Sequence, residues 1–239
     1  MATSGTSRPR AAGPPHEPWR AAFERDGFAI LPEVVLGSTL FQLRAEADRL
    51  LRDSEDRGGA RNALRRSPLL RDDSSALEIA AELLGPEARV TKLTVFDKSP
   101  LANWKVPWHQ DLTISVAVRR EVEGFGPWST KGGVPHVRPP IAVLREIVAV
   151  RIHLDDTPED NGALRVLAGS HRMGRLTEDE LVRLREQVPE TACPVPIGGA
   201  MVMSPLLVHA SSPSASPHRR RVLHYEFSSY RLPGGLAWA

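Results

Sequence analysis

The four residues Trp108-His109-Gln110-Asp111 combine an imidazole and a carboxylate at a spacing that suits a metal ion. Side chains two residues apart on a strand project from the same face. His109 and Asp111 can therefore take neighbouring positions on one metal. One further imidazole would complete the two-histidine, one-carboxylate set that binds non-haem iron and leaves three positions open. The H-x-D pattern also arises by chance, so a surface histidine beside a turn aspartate is the competing interpretation.

The second imidazole must come from one of seven other histidines, and His209 is the best candidate. It follows the apolar run Leu206-Leu207-Val208 in a predicted strand, although a buried core histidine would fit this pattern too. Ser211 faces the same way, and Arg220 follows after a span that suits a hairpin. A hydroxyl and a guanidinium beside a metal can bind a distal carboxylate, because arginine binds carboxylates through two parallel hydrogen bonds. A co-substrate with one carboxylate on iron and another on Arg220 is 2-oxoglutarate, whereas the alternative for this arginine is a solvated strand end.

The elements that must position these residues are helices near the N-terminus and strands from about residue 88 onward. Many short strands with Gly/Pro turns predict a mainly β protein, a sandwich or jelly roll with a helical flank. Residues 119–140 are expected to form a long functional loop, a candidate lid over the substrate. The main predicted elements are helices at 17–26, 38–53 and 76–84, the last capped by Ser74-Ser75, and strands at 90–97, 109–118 and 146–154.

Five further residues are candidates for contacts with ligands. Lys98 precedes the loop before the H-x-D pattern and is expected to reach the co-substrate, and Trp104 lies in that loop. Arg151 and His153 alternate onto one face of a predicted strand and could contact substrate, although an outward polar face of an edge strand fits equally well. Trp128 lies in the 119–140 loop and could contact substrate or simply anchor that loop.

The composition is that of an ordinary soluble globular protein, with no signal for a nucleic-acid or membrane partner. The 239 residues are 41% hydrophobic and 25% charged, with a formal net charge of +2, so no nucleic-acid surface is indicated. No apolar run reaches membrane-spanning length and no secretory signal is present, and the single cysteine, Cys193, fits a reducing cytoplasm. We expect a disordered tail over residues 1–16 and one domain over 17–239. The oligomeric state has no signal in the sequence.

The order of several motifs resembles the phytanoyl-CoA dioxygenase family of Fe(II)/2-oxoglutarate oxygenases. The similarity spans roughly residues 20–230, and Ala168 stands where the family usually has proline. The matching motifs are Phe23-Glu24-Arg25-Asp26-Gly27-Phe28, Trp108-His109-Gln110-Asp111, Leu154-Asp155-Asp156 through Asn161-Gly162-Ala163-Leu164, Ala168-Gly169-Ser170-His171, and His209-x-Ser211 followed by Arg220.

The resemblance implies a double-stranded β-helix (jelly-roll) core with N-terminal helical support. It implies His109, Asp111 and His209 as iron ligands, and Ser211 and Arg220 as contacts of the 2-oxoglutarate C5 carboxylate. If the loop register differs by one residue, Arg219 or Arg221 takes the place of Arg220 as the contact of the C5 carboxylate. Related halogenases have a small residue at the position of Asp111, so this aspartate favours hydroxylation or a related oxidation such as desaturation.

The resulting hypothesis is a dioxygenase that uses Fe(II), 2-oxoglutarate and O2 to hydroxylate an aliphatic carbon of a small molecule, releasing succinate. Two alternatives remain at this point. One is a jelly-roll protein that binds metal or 2-oxoglutarate without turnover. The other is a cupin-like metal enzyme without a co-substrate, which would have no use for a buried carboxylate receptor.

Overall fold

The chain begins in helices and continues mostly in strands. The computed structural model describes residues 17–54, 56, 58–100 and 102–239, so the expected tail at 1–16 lies outside the described residues. The helices are α1 Glu17–Asp26, α2 Gly37–Arg52, α3 Pro68–Arg71, α4 Ser74–Leu84, α5 Ile141–Arg145 and α6 Glu178–Gln187. The strands are β1 Phe28–Leu31, β2 Gly59–Ala60, β3 Arg89–Lys98, β4 Val106–His109, β5 Ile114–Ser115, β6 Trp128–Lys131, β7 Val134–Val137, β8 Ile147–His153, β9 Leu164–Leu167, β10 Glu190–Cys193, β11 Ala200–Met203, β12 His209–Ser211 and β13 Arg220–Ser228. None of the helices in this described part has the length and apolar character needed to cross a bilayer.

The largest sheet has six strands in the order β1-β11-β8-β13-β3-β2, and all its neighbours are antiparallel. Strand β13 lies at its centre, between β3 and β8. Arg220 pairs with Lys98 on β3, and His224 pairs with Arg151 on β8. Since β8 is an inner strand that is buried along its whole length, the edge-strand alternative for Arg151 and His153 is wrong.

The two faces of this sheet differ in chemistry. The outward face packs on α2 and α4, through a buried apolar cluster that includes Leu50, Ile79, Val150 and Tyr225. Because strand side chains alternate, the opposite face of β3 and β13 carries polar and charged residues towards the interior. These polar residues are Lys92, Thr94 and Lys98 on β3, and Arg220, His224 and Glu226 on β13, and Phe96 lies among them on the same face of β3.

A second sheet has the order β10-β9-β12-β4, and a third has the order β5-β7-β6. In the second sheet His209 of β12 lies directly opposite His109 of β4. The apolar side chains of β9 and β11 meet in a further buried cluster that joins the first two sheets. The two antiparallel layers with helices on one outer face form the mainly β architecture predicted from the sequence.

Two predicted segments differ from the structure. The prediction of a continuous strand at 109–118 is wrong, because β4 ends at His109 and β5 begins only at Ile114. The backbone N–H of Asp111 donates to Pro205 O (2.8 Å), which takes the chain out of the ladder there. The prediction of a long loop at 119–140 is also wrong, because this segment contains the β6–β7 hairpin. The hairpin turns at Gly132-Gly133, both with positive φ (54° and 75°), which is the turn that two-residue hairpins favour.

The predicted helices are close to those observed. Helix α4 begins two residues earlier than expected, because the side chain of Asp73 accepts from Ser75 N and serves as the N-cap in place of the serines. Helix α6 begins with the capping box of Thr177 and Glu180 that its spacing predicts.

Candidate metal centre and its cavity

Three side chains converge between the first two sheets. Ligand atoms of His109, Asp111 and His209 all lie within 4.8 Å of one another. The Nε2 atoms of His109 and His209 lie 3.6 Å and 3.7 Å from the two carboxylate oxygens of Asp111. Two imidazoles and one carboxylate in this arrangement can occupy one face of a metal ion and leave the other positions open.

The strands hold both imidazoles in the form that a metal requires. His109 Nδ1 donates to Pro107 O and His209 Nδ1 donates to Leu207 O, each at 2.9 Å. A carbonyl oxygen only accepts, so Nδ1 carries the hydrogen in each neutral ring. The unprotonated Nε2 is then free to bind a metal.

The charges of the three groups also suit a cation. Burial lowers the pKa of His209 to about 4, so this ring is neutral at ordinary pH. Burial raises the pKa of the Asp111 carboxyl, but its interactions with the adjacent His109 and His209 side chains outweigh that effect and hold this pKa well below its usual range. A neutral imidazole and a charged carboxylate are the forms that ligate metals.

Gln110 fixes the turn between the two ligands. Its side chain donates to Gly174 O and Leu206 O, both at 2.7 Å, and accepts from Leu176 N at 2.9 Å. It is buried and points away from the metal centre, as expected. These bonds, together with that of the Asp111 backbone, orient the carboxylate without a regular strand.

The cavity beside the ligands has a volume of about 170 Å³. It lies between β3, β8 and β13 of the large sheet and β4 and β12 of the second. Of the residues predicted from sequence, those that line it are His109, Asp111, His209, Ser211, Arg220, Trp104 and Arg151.

One end of the cavity is a cationic receptor. Arg220 donates to Gly162 O through NH1, and its Nε has no partner among the described residues. Lys98 is fully buried, and its Nζ donates to Ser211 Oγ at 2.9 Å and to Ser212 O at 2.7 Å. Burial and the neighbouring guanidinium groups lower the pKa of Lys98 to about 8 and that of Arg220 to about 9. Neither group pairs with a carboxylate of the described residues, so an anionic ligand suits this end.

The two flanking arginines belong to the other face of β13. Arg219 donates to both carboxylate oxygens of Asp97 (2.8 and 2.9 Å). Arg221 binds Asp155 through its side chain (2.8 and 2.7 Å) and Asp48 (2.9 Å). Of the three consecutive arginines, Arg220 is therefore the one that faces the cavity.

A comparison with known families shows which family the chain belongs to. The sequence profile of phytanoyl-CoA dioxygenase (PhyH) matches residues 23–222, which is most of the chain. The protein belongs to the phytanoyl-CoA dioxygenase family. A search of curated proteins found no significant match.

Solved structures share the fold of this phytanoyl-CoA dioxygenase family member. AviO1 from Streptomyces viridochromogenes Tue57 is 25% identical, with a TM-score of 0.66, and the match covers 94% of this chain and 98% of AviO1. The epimerase SnoN, solved with Fe3+, alpha ketoglutarate and nogalamycin RO, is 19% identical, with a TM-score of 0.66 and coverage of 92% and 90%. EctD from S. alaskensis, solved with 2-oxoglutarate and 5-hydroxyectoine, is 19% identical, with a TM-score of 0.69 and coverage of 93% and 79%. The fold is the jelly roll predicted from the sequence.

Three predicted contacts of this family member do not line the cavity, and one of them, Lys98, reaches it only through its hydrogen bond to Ser211. Trp128 packs in the apolar cluster around β5 and β7, with the Arg119 guanidinium 5.4 Å from its ring. His153 is buried beside the cavity, and a hydrogen bond of 2.7 Å joins its Nδ1 to Thr157 Oγ1. Burial and the nearby Arg151 keep the pKa of His153 well below its usual range, so the ring is neutral.

A chain of polar and charged groups on the interior face of the large sheet was not predicted from the sequence. Arg151 NH1 donates to His224 Nδ1 at 2.8 Å. The Nε2 of His224 lies 3.6 Å from Glu226, which accepts from Lys92 Nζ at 2.6 Å. The signal was available, because strand alternation from Arg220 places His224 and Glu226 on the same face.

Proposed function

We propose that this phytanoyl-CoA dioxygenase family member is an Fe(II)- and 2-oxoglutarate-dependent oxygenase that hydroxylates an aliphatic carbon of a small molecule. One observation carries the proposal: a two-histidine, one-carboxylate cluster and a buried cationic receptor open onto the same cavity. The cluster suits iron and the receptor suits the distal carboxylate of 2-oxoglutarate.

Each polar group then has a defined task. His109, Asp111 and His209 would hold the iron, and Arg220, Ser211 and Lys98 would bind the C5 carboxylate of 2-oxoglutarate. With O2, the bound iron and 2-oxoglutarate supply the oxidising power, and 2-oxoglutarate is decarboxylated to succinate. The protein positions both molecules and neutralises their charge, and Gln110 keeps Asp111 in place.

Hydroxylation is the reaction that the residues favour. Asp111 occupies the position at which related halogenases have a small residue, so no halide position is open. The neighbours in fold include an epimerase, so the outcome of oxidation varies within this fold. A small-molecule substrate suits the size of the cavity, about 170 Å³ beside the metal ligands.

The decisive experiment is an anaerobic titration of the Fe(II) protein with 2-oxoglutarate, followed by exposure to O2. We expect a visible charge-transfer band on chelation and then succinate release. Asp111→Ala should lose both, because it removes the only carboxylate of the ligand set. Asp160→Ala, which removes an exposed carboxylate elsewhere, is the control and should retain both.

Other outcomes of this titration would support one of the two alternative functions or contradict the ligand assignment. Absence of the band in the parent protein would favour a cupin-like enzyme without a co-substrate. A band without succinate release would indicate a binding protein. Full turnover in Asp111→Ala would contradict the ligand assignment.

A further inference from the structure

The outer end of the cavity carries cations that the metal site does not use. Arg61 follows β2, Lys92 lies on β3 and Lys131 ends β6, and all three line the cavity that contains the metal ligands. Lys92 is neutralised by its ion pair with Glu226. Among the described residues, Lys131 donates only to a threonine hydroxyl, at 3.3 Å. Arg61 lies 3.6 Å from Asp56, in a pair that is about half exposed on both sides (54% and 50%).

The backbone brings the two outer cations together. Asn62 Nδ2 donates to Gly132 O at 3.1 Å, and these residues directly follow Arg61 and Lys131. Burial and the nearby Lys92 ammonium both lower the pKa of Lys131. Like charges are therefore held close by contacts between two loops, and an anion between them would relieve their repulsion.

The net charge of the cavity lining also favours an anionic ligand. A second cavity of about 420 Å³ adjoins the first and shares Arg61, Thr94, Phe96 and Trp104 with it. The charges of iron(II) and of the 2-oxoglutarate dianion cancel each other. Binding of both therefore leaves any net positive charge of the cavity lining unchanged. The described lining holds five cations against three carboxylates, a surplus of two: Arg61, Lys92, Lys131, Arg151 and Arg220 against Asp56, Asp111 and Glu226.

The shared aromatic residues define where the body of a ligand would lie. Phe96 and Trp104 line both cavities. A molecule anchored at Arg61 and Lys131 would lay its apolar part against these rings and extend towards His109 and Asp111. The site thus has an anionic anchor, an apolar wall and a reactive centre.

We propose that the substrate carries an acidic group, a carboxylate or a phosphate monoester, which Arg61 and Lys131 bind at the cavity mouth. This inference rests on the proposed oxygenase function and defines its substrate class. The acidic group binds at the mouth, so the oxidised carbon lies on the part of the molecule nearest the metal ligands.

Matched pairs of probes test the charge requirement. The protein loaded with Fe(II) and 2-oxoglutarate is titrated anaerobically by calorimetry with hexanoate and hexanamide, 3-phenylpropionate and its amide, and 2-phenylethyl phosphate and 2-phenylethanol. We expect an acid to bind about 10-fold or more tightly than its neutral partner. The carboxylate and phosphate pairs show which acid the mouth prefers.

Variants locate the effect at the proposed anchor. Lys131→Gln and Arg61→Gln should each reduce the preference for the acid by about 3- to 10-fold, the range of one partly exposed ionic contact. Lys131→Arg should keep it, and the double Gln variant should abolish it. Lys105→Gln is the matched control, because it removes an exposed cation that does not line either cavity.

The charge-transfer band separates failure of this inference from failure of the oxygenase proposal. Loss of the band in the parent protein would overturn the oxygenase proposal itself. With the band present, equal binding of acids and their neutral partners, or no binding by any acid, would overturn the anionic anchor alone. An acid preference that survives the double Gln variant would also overturn it.

Discussion

The chemistry of this protein depends on where individual protons lie. In His109 and His209 a backbone carbonyl accepts the Nδ1 hydrogen, so Nε2, which faces Asp111, is the ring nitrogen left to bind a metal. The H-x-D spacing and the candidate His209 could be predicted from the sequence. The hydrogen bonds of Gln110 could not, because their partners lie 64 to 96 residues further along the chain.

Under the proposed function, Lys98 should give a pH dependence to co-substrate binding. Burial, Arg220 and Arg151 together lower its pKa to about 8. The ammonium favours a bound carboxylate, so 2-oxoglutarate affinity should be constant below about pH 8 and fall by up to about 10-fold per unit as Lys98 loses its proton above it. The affinity is measured anaerobically through the charge-transfer band between pH 6.5 and 9.

Replacement of the ammonium isolates this effect. Lys98→Met keeps a side chain of similar length without a charge, so it should bind 2-oxoglutarate about 10-fold or more weakly than the parent protein. Its affinity for 2-oxoglutarate should not fall above pH 8. The same decline in Lys98→Met as in the parent protein would show that another group titrates. The two proteins are compared up to about pH 8.5, because burial and Arg151 lower the pKa of Arg220 to about 9 and this group begins to lose its charge above that pH.

At the scale of elements, alternation was the most reliable sequence signal. It correctly placed Arg151 on a face of β8 that differs from the apolar one, so that Val150 lies in the apolar core while Arg151 lines the cavity. It failed after His109, where a tertiary hydrogen bond to Pro205 interrupts the strand. The β6–β7 hairpin was missed because its short strands are flanked by Gly and Pro, although Gly132-Gly133 is a turn signal.

An ion-pair network joins α2 to the large sheet. Arg221 is bound by Asp155 of the β8 turn and by Asp48 of α2, and Arg44 of α2 also reaches Asp155 (3.1 Å). Burial raises the pKa of Asp155, but hydrogen bonds from Arg221 outweigh it and the pKa is lowered. A carboxyl with a depressed folded-state pKa stabilises the fold above its unfolded pKa, near 4, and loses this contribution as the pH falls through the folded value.

Asp155→Asn should therefore destabilise the protein most at neutral pH. We expect a loss of about 2 kcal/mol at pH 7, because Arg221 keeps Asp48 as a partner, and little difference from the parent below about pH 3. Denaturant unfolding at several pH values measures this. Asp72→Asn, in an exposed pair with Arg71, should cost under about 0.5 kcal/mol. A loss in Asp155→Asn that stays constant with pH would contradict the ionic origin.

At the scale of the whole molecule, metal binding should add stability. The three ligands lie on β4, on the turn after it and on β12, so a bound ion would cross-link the edge of the second sheet. At 100 times its dissociation constant a metal adds about 2.7 kcal/mol, which for a chain of this size is roughly 5–10 °C in melting temperature.

Thermal unfolding with Fe(II) under anaerobic conditions, before and after a chelator, checks this increase. The increase should disappear in Asp111→Ala and persist in Asp160→Ala. An equal increase in Asp111→Ala would place the stabilising metal elsewhere in the molecule.

The three sheets carry different parts of the proposed machinery. The histidine ligands lie on the second sheet, the carboxylate receptor is mainly on the large sheet, and Lys131 lies on β6 of the third. Mutations in the β6–β7 hairpin can therefore accumulate without altering the residues that hold iron. Under the anionic-anchor proposal, this hairpin is a module through which relatives can diverge in substrate while retaining the same oxidation chemistry, and one that can be exchanged between them by design.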